Sequence, residues 1–232
     1  TNPNALGGGR KYTNDPFGKS LFYADDTVGR IVVYRTSYQS GAYGPLQMKV
    51  AQTLYTIPNI PSSTYQYGVP YTVELNPPGG YEIELSNIGT TYSDIDQITL
   101  LPPAAYLGVG TYQENNSELS YTGNWISTSS TLGGARRYTK DPNAWMRFRV
   151  NNTVGRVTIY RTTAGNTFGT LQVYIDGALK FTIPNNTSGT VQYGVPFTFD
   201  LNPGNYKIEL RNVGSTFSDI DQIVLEASPA PL

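Results

Sequence analysis

The chain contains no cysteine and no histidine. Without cysteine there is no disulfide to staple a secreted fold, and no thiolate to act as nucleophile or metal ligand. Without histidine the commonest general base and the commonest zinc ligand are both missing. Charge is scarce as well. Only 14% of the residues are Asp, Glu, Lys or Arg, and the formal net charge is −1, whereas a typical domain is about a quarter charged. With no basic run to release counterions from a phosphate backbone, nucleic acid is excluded as a partner class. No stretch approaches the roughly 18 consecutive apolar residues that a membrane-spanning helix needs. No leader peptide is visible, which a mature secreted protein would already have lost. The absence of cysteine does not fix a compartment; bacterial surface proteins, virion proteins and thermophile proteins all satisfy it.

What the chain has in quantity is Gly (24), Pro (16) and Tyr (19) over 232 residues, with Asn, Thr and Ser also abundant. That composition suits short strands joined by tight turns and does not suit long helices. The length allows one large domain or two ordinary ones. An internal repeat of about 125 residues decides for two. Thr27-Val-Gly-Arg-Ile-Val-Val-Tyr-Arg35 matches Thr153-Val-Gly-Arg-Val-Thr-Ile-Tyr-Arg161, and Gln66-Tyr-Gly-Val-Pro70 matches Gln192-Tyr-Gly-Val-Pro196. Arg10-Lys-Tyr-Thr-Asn-Asp15 and Tyr92-Ser-Asp-Ile-Asp96 likewise recur as Arg136-Arg-Tyr-Thr-Lys-Asp141 and Phe217-Ser-Asp-Ile-Asp221. The expected organisation is a first repeat over 1–101, a Pro/Gly/Ala linker over 102–111, a second repeat over 112–227 and a tail over 228–232.

Each copy reads as strands throughout. In Trp145-Met-Arg-Phe-Arg-Val150, alternation puts Met146, Phe148 and Val150 inward and Trp145, Arg147 and Arg149 outward. Leu171, Val173 and Ile175 alternate with Gln172, Tyr174 and Asp176, after which Asp176-Gly177 offers a hairpin turn. Phe197, Phe199 and Leu201, then Tyr206, Ile208 and Leu210, continue the pattern. The expected fold class is therefore all-β: two tandem antiparallel β-sandwiches of jelly-roll type.

The copies are unequal. Residues 112–125 open the second repeat with one or two extra strands, while only Thr1 to Gly9 precede Arg10 in the first. Either the chain is a piece of a longer array, or a segment of a neighbouring molecule completes the open sheet of the first repeat. Both alternatives point to polymers or multi-repeat fibres, with homopolymer formation through that open edge as one partner expectation.

Tyr112-Gln-Glu-Asn, Tyr121-Thr-Gly-Asn-Trp125, Val173-Tyr-Ile-Asp-Gly177, Leu201-Asn-Pro-Gly-Asn-Tyr-Lys-Ile208 and Asp219-Ile-Asp-Gln-Ile223 carry a family resemblance. The chain resembles the galactose-binding-like jelly rolls that include family 6 and family 35 carbohydrate-binding modules. The resemblance covers 112–226 and, less its opening strands, 7–101. It implies sugar binding without cleavage and a structural calcium held by an early acidic residue and a late aspartate, here Glu114 and Asp221. Asp96 is the first repeat's counterpart of Asp221, without an early Glu to match. The alternative for these aspartates is that they cap turn amides.

Sugar sites place aromatic faces against apolar sugar faces, with Asn, Asp, Arg or Gln reading hydroxyls. The candidates are Trp145, Arg161, Phe168 and Tyr174, with Asn166 nearby, in the second repeat, and Arg35, Tyr38 and Tyr43 in the first. Arg30, Arg35, Arg156 and Arg161 also admit a structural reading, paired across strands with Glu84 and Glu209, with recognition of an anionic glycan as the alternative. Trp125 is expected in the core.

Nothing suggests catalysis. No nucleotide-binding Gly loop or metalloprotease motif occurs, and the one repeated acidic pair sits side by side in Asp-Ile-Asp rather than across a substrate. The expectation is a non-enzymatic extracellular, cell-surface or virion protein. Its function is carbohydrate binding and adhesion, or alternatively a structural subunit of a filament assembled by strand complementation. The expected ligands are a glycan, neighbouring copies of itself and calcium.

Overall fold

The structure is a computed structural model. It describes residues 11–228 except 17, 39–42, 60–63, 77, 90, 130–131, 133–134, 143, 166 and 187–188. Asn166 and Arg10 therefore lie outside the described residues. The chain divides into two compact units, Thr1–Pro103 and Ala104–Leu232. Among the described residues every regular element is a strand, and no helix is long and apolar enough to cross a membrane.

Unit 1 contains β1 (Lys11–Thr13), β2 (Lys19–Ala24), β3 (Arg30–Ser37), β4 (Leu46–Val50), β5 (Thr53–Ile57), β6 (Gln66–Glu74), β7 (Tyr81–Asn87), β8 (Ser93–Ile95) and β9 (Gln97–Leu101). They form a sheet in the order β2-β7-β4-β5, a second sheet β6-β3-β9 and a β1–β8 ribbon. Unit 2 contains β10 (Tyr106–Leu107), β11 (Gly110–Gln113), β12 (Ser120–Thr122), β13 (Ile126–Ser129), β14 (Ala135–Thr139), β15 (Trp145–Val150) and β16 (Val154–Thr163). It continues with β17 (Thr170–Ile175), β18 (Ala178–Pro184), β19 (Gln192–Asp200), β20 (Tyr206–Val213), β21 (Ser218–Ile220) and β22 (Gln222–Ala227). Its sheets are β10-β15-β20-β17-β18, with β12 also on β15, and β11-β22-β16-β19, beside a β13-β14-β21 ribbon. The expected linker over 102–111 contains β10 and the start of β11. Two- and four-residue strands are too short to show a period, so a Pro/Gly/Ala composition hid them.

Both units are sandwiches. In unit 2, Met146, Phe148, Leu171, Val173, Ile208 and Leu210 from one sheet join Val157, Ile159, Phe199, Ile223 and Leu225 from the other in a single buried cluster. The opening segment adds Leu107, Leu119 and Tyr121 to it, and Trp125 packs at its margin. In unit 1 the corresponding cluster is Ile31, Val33, Met48, Val50, Val73, Ile83 and Leu85 with smaller neighbours. The alternation read from β15 holds, with Met146, Phe148 and Val150 all at 1% exposure or less.

The repeated motifs are backbone requirements. The third residue of Thr-Val-Gly-Arg sits where chains nearly touch: a Cβ on Gly29 would lie 2.4 Å from Pro103, and one on Gly155 would lie 2.1 Å from Ser228. The glycine of Gln-Tyr-Gly-Val-Pro has φ 66° at Gly68 and 65° at Gly194, a region that only glycine enters cheaply. It lies opposite a bulge that falls between Arg35 and Ser37 in unit 1 and between Arg161 and Thr163 in unit 2. Asp176 (φ 49°) and Gly177 (φ 83°) make the expected two-residue turn between β17 and β18.

Candidate functional site

A cleft of about 400 Å³ lies on the outer face of β15, β20 and β17, lined by Pro142, Trp145, Arg147, Gln172, Tyr174, Glu209, Arg211 and residues 212–214. Strand alternation turns these side chains away from the core, and register arranges six of them in two rows. Trp145, Arg211 and Gln172 are directly opposite one another across three strands, and so are Arg147, Glu209 and Tyr174.

Glu209 is the hub of this lattice and is only 4% exposed. Arg147 donates to its Oε2 through Nε (2.9 Å) and Nη2, and Arg211 donates to its Oε1 through Nε. Burial pushes the Glu209 carboxyl up, but the two guanidinium groups outweigh burial and hold it below the usual glutamate range. The same arginines lie over the aromatics: Arg147 is 4.1 Å from the Trp145 ring centroid, and Arg211 is 4.2 Å from that of Tyr174. The Tyr174 hydroxyl donates to Gln172 Oε1 (2.9 Å).

Of the sequence candidates in the second repeat, Trp145 and Tyr174 are thus brought together. Phe168 is not among the cleft residues; it packs on Phe217 with ring centroids 5.8 Å apart. Arg161, which the sequence offered both as a ligand candidate and as a structural residue, is only 7% exposed. Its Nε donates to Asn185 Oδ1 (2.7 Å) and its Nη1 to the Val195 carbonyl (2.9 Å). Arg35, expected at the surface, is buried instead, at 2% exposure. It clamps three carbonyls, donating through Nη1 to Ile57 (3.0 Å) and Pro58 (3.2 Å) and through Nη2 to Gly44 (2.7 Å). Both arginines sit at the bulge, where alternation no longer tells inside from outside.

The expected pairing of the repeated arginines with Glu84 and Glu209 is also corrected. Arg30 and Arg156 belong to β3 and β16, whereas those glutamates belong to β7 and β20 of the other sheet. Arg30 donates to the Pro102 carbonyl and Arg156 to Asp200, while Glu84 is bridged by Lys19 at 2.9 Å.

In unit 1, Tyr38 and Tyr43 join an aromatic cluster that sequence reasoning missed in part. Tyr38 stacks on Tyr65 at 4.1 Å, Tyr65 stacks on Tyr67 at 6.0 Å, and Tyr43 meets Tyr65 edge-on at 6.3 Å. Tyr65 is 48% exposed. The cluster is built from the segments that flank β4 and β5.

Glu114 and Asp221 are both buried, at 3% and 0% exposure. The β11–β22 register pairs Gln113 with Gln222, and its continuation sets Glu114 opposite Asp221. Two carboxylates facing each other out of water are costly without a cation. Burial, with Asp221 nearby, pushes the Glu114 carboxyl up, and Arg137 offsets only part of this. Gln113 Oε1 and Glu114 Oε2 are buried acceptors with no hydrogen-bond donor. An all-oxygen set of this kind fits a calcium ion, which takes carboxylate, amide and backbone oxygens. Among the described residues no three acidic side chains converge, so a calcium ion here would need backbone oxygens or water to complete its shell. Asp96 differs. Its Oδ2 accepts from the Gly68 N–H (3.0 Å) and the Thr36 hydroxyl (3.4 Å), so protein donors already engage it.

Sequence reasoning missed Arg147, Gln172, Glu209 and Arg211 as site members. The signal was present: Arg147 shares the Trp145 face two residues on, and Gln172 shares the Tyr174 face. Which strands lie side by side is what the sequence does not display.

No family model and no curated protein matches the chain. Among the solved structures it resembles are carbohydrate-binding modules of families 6 and 35. CsCBM6-3 from Clostridium stercorarium, solved with cellobiose, is 20% identical, with 53% of this chain and 98% of that chain covered and a TM-score of 0.41. A native family 35 carbohydrate-binding module from Clostridium thermocellum is 17% identical over 51% of this chain and 97% of that chain, with a TM-score of 0.41. A Paenibacillus xanthan lyase is 19% identical over 97% of this chain, with a TM-score of 0.40, and the chain spans 24% of its length. The chain likewise spans 28% of the Agl-KA catalytic-domain structure that it matches.

Proposed function

We propose that the chain is a non-catalytic carbohydrate-binding protein of the cell exterior, and that its ligand site is the cleft on β15, β20 and β17. The observation that carries this reading is the cleft itself: an indole and a phenol set on a rigid sheet face beside amide and guanidinium groups. Such a surface offers apolar contact to a sugar ring and fixed polar groups to its substituents. Both oxygens of Glu209 are engaged by arginines, which suits binding and leaves no free carboxylate to act on a glycosidic bond. The decisive measurement is a glycan array followed by calorimetry on wild type and Trp145→Ala. Trp145→Ala should weaken binding at least about tenfold, as loss of a central aromatic anchor does. An array without hits, or an unchanged affinity in the variant, would sink the proposal.

Calcium belongs to the same reading. Glu114 and Asp221 would hold the ion, whose charge would relieve the repulsion between the two carboxylates and tie β11 to β22.

A second reading, assembly, is favoured by a separate contrast. Leu225 in unit 2 is 1% exposed beneath β11, whereas its repeat partner Leu100 is 39% exposed on β9, which has no outer neighbour among the described residues. On the other sheet β2 is likewise an edge, and its inward Phe22 is only half-buried where the repeat partner Phe148 is 1% exposed. The occupant we assign is the opening segment (residues 106–122) of another copy, because that segment already fits the equivalent edges of unit 2. Fibres or higher oligomers that grow with concentration, and that an added peptide of residues 104–125 suppresses, are the expected result. A monomer at all concentrations that ignores the peptide rules assembly out.

A further inference from the structure

We infer that the cleft of unit 2 selects anionic glycans, engaging a carboxylate or sulfate group through Arg211. This rests on the carbohydrate-binding reading of that cleft and names its ligand class. The first ground is charge. Besides the Tyr174 phenol, the ionisable groups that line the cleft are Arg147, Arg211 and Glu209, two guanidinium groups against one carboxylate. Glu209 stays ionised because its arginines hold it so, and a single positive charge is therefore left over.

The second ground is the hydrogen-bond inventory. A site built for neutral sugars presents acceptors as well as donors, because every hydroxyl is both. Here the acceptors of the outward-facing Glu209 and Gln172 side chains are already occupied, and Asn212 Oδ1, an unpaired acceptor in the lining, is buried. Glu209 Oε2 takes Arg147 and Oε1 takes Arg211, while Gln172 Oε1 takes the Tyr174 hydroxyl. The donors are what remain. Arg211 hydrogen-bonds the protein through Nε alone, its side chain is 46% exposed, and its two terminal amino groups face no protein acceptor among the described residues. Trp145 Nε1–H and the Gln172 amide N–H groups complete the supply, and the register sets Trp145, Arg211 and Gln172 in one row across β15, β20 and β17. A row rich in donors and poor in acceptors, centred on a guanidinium fork, matches a planar oxyanion.

The third ground is the internal control that the repeat provides. The equivalent row of unit 1 is Lys19, Ser86 and Gln47, and the second row is Leu21, Glu84 and Lys49. Serine replaces the forked arginine, and Lys19 is itself engaged by Glu84 at 2.9 Å. The selectivity is thus a property of unit 2.

The test is calorimetry on the full chain with three probes: trigalacturonate, its carboxyl-reduced neutral counterpart, and a sulfated galactan oligosaccharide. At low salt at least one acidic probe should bind ten times or more tightly than the neutral one, and 0.5 M NaCl should erase most of that margin. The two acidic probes distinguish carboxylate from sulfate as the source of the anion. Arg211→Ser should remove the margin, while Arg211→Lys, which keeps the charge without the fork, should keep part of it. A thermal melt of each variant reports whether it is folded. Equal or tighter binding of the neutral probe overturns the anion selectivity and leaves the glycan reading standing. Failure of all three probes, together with a glycan array without hits, overturns both. An acidic preference that survives in folded Arg211→Ser places the anion elsewhere and overturns the assignment.

Discussion

Unit 1 and unit 2 are the same backbone finished in two ways. Each keeps the bulge after its buried arginine, the left-handed glycine opposite it, and an asparagine (Asn87 or Asn212) whose side-chain amide reaches back to the Asp15 or Asp141 carbonyl. They part company on their outer surfaces. In unit 2, β10 and β12 cover β15 and β11 covers β22, and the unit carries the Trp145–Glu209–Tyr174 cleft. Unit 1 has bare edges among the described residues, lysines in place of the aromatics, and a tyrosine cluster beside β4 and β5. The difference teaches that duplication preserved what the backbone requires and left free to change the side chains that the core does not use.

The largest expected break in this symmetry concerns one phenylalanine. Phe148 is 1% exposed in unit 2, and its repeat partner Phe22 is only half-buried on the open edge. Phe148→Ala should cost about 3–5 kcal/mol and Phe22→Ala clearly less, measured by calorimetry that resolves the two unfolding transitions. Equal costs would mean that Phe22 is covered in solution, which favours strand complementation. Next in size is calcium. At a hundredfold excess over its Kd it should stabilise unit 2 by about 2.7 kcal/mol and leave unit 1 unmoved. Glu114→Gln should abolish the response; a shift of the unit 1 transition instead would discard the assignment.

Acid should separate the units further. Glu209, held low, contributes stability that is present above the ordinary glutamate value and lost as pH falls through its depressed one. Asp94, pushed up mainly by burial, works in the opposite sense, so unit 1 gains stability as pH falls through its raised value. Glu114 opposes Glu209 within unit 2. The quantity to measure is therefore the difference between wild type and Glu209→Gln, which should shrink as pH falls below the usual glutamate range. A difference independent of pH rejects the lattice as ionic. The smallest effect is at the hairpins. Where unit 2 has Asp176-Gly177, unit 1 places Ala51 at φ 51°. Ala51→Gly should stabilise unit 1 by up to about 1 kcal/mol, read from its denaturation midpoint.

Legibility followed the backbone. Asp176-Gly177 announced its turn because so few residues meet that demand, and β15 displayed its inner face through plain alternation. Arg35 and Arg161 were misplaced because a bulge resets alternation, and β10 was missed because two residues have no period. The candidate site was half legible. Trp145 and Tyr174 stood out as single residues, but Glu209 joins them only through strand neighbours far apart in sequence.

The pairing of β11 with β22 has a mechanical consequence. The strands are antiparallel with Gly110 opposite Leu225, so the chain enters and leaves unit 2 at the same end of that pair. Tension along the polypeptide, once it has stripped the two-residue β10, loads these hydrogen bonds one after another from that end. They unzip in sequence and do not share the load in shear. Unit 2 is therefore built to yield under modest pull, as a shock absorber does, and a calcium ion beyond Gln113, at the far end of the zipper, would act as its stop.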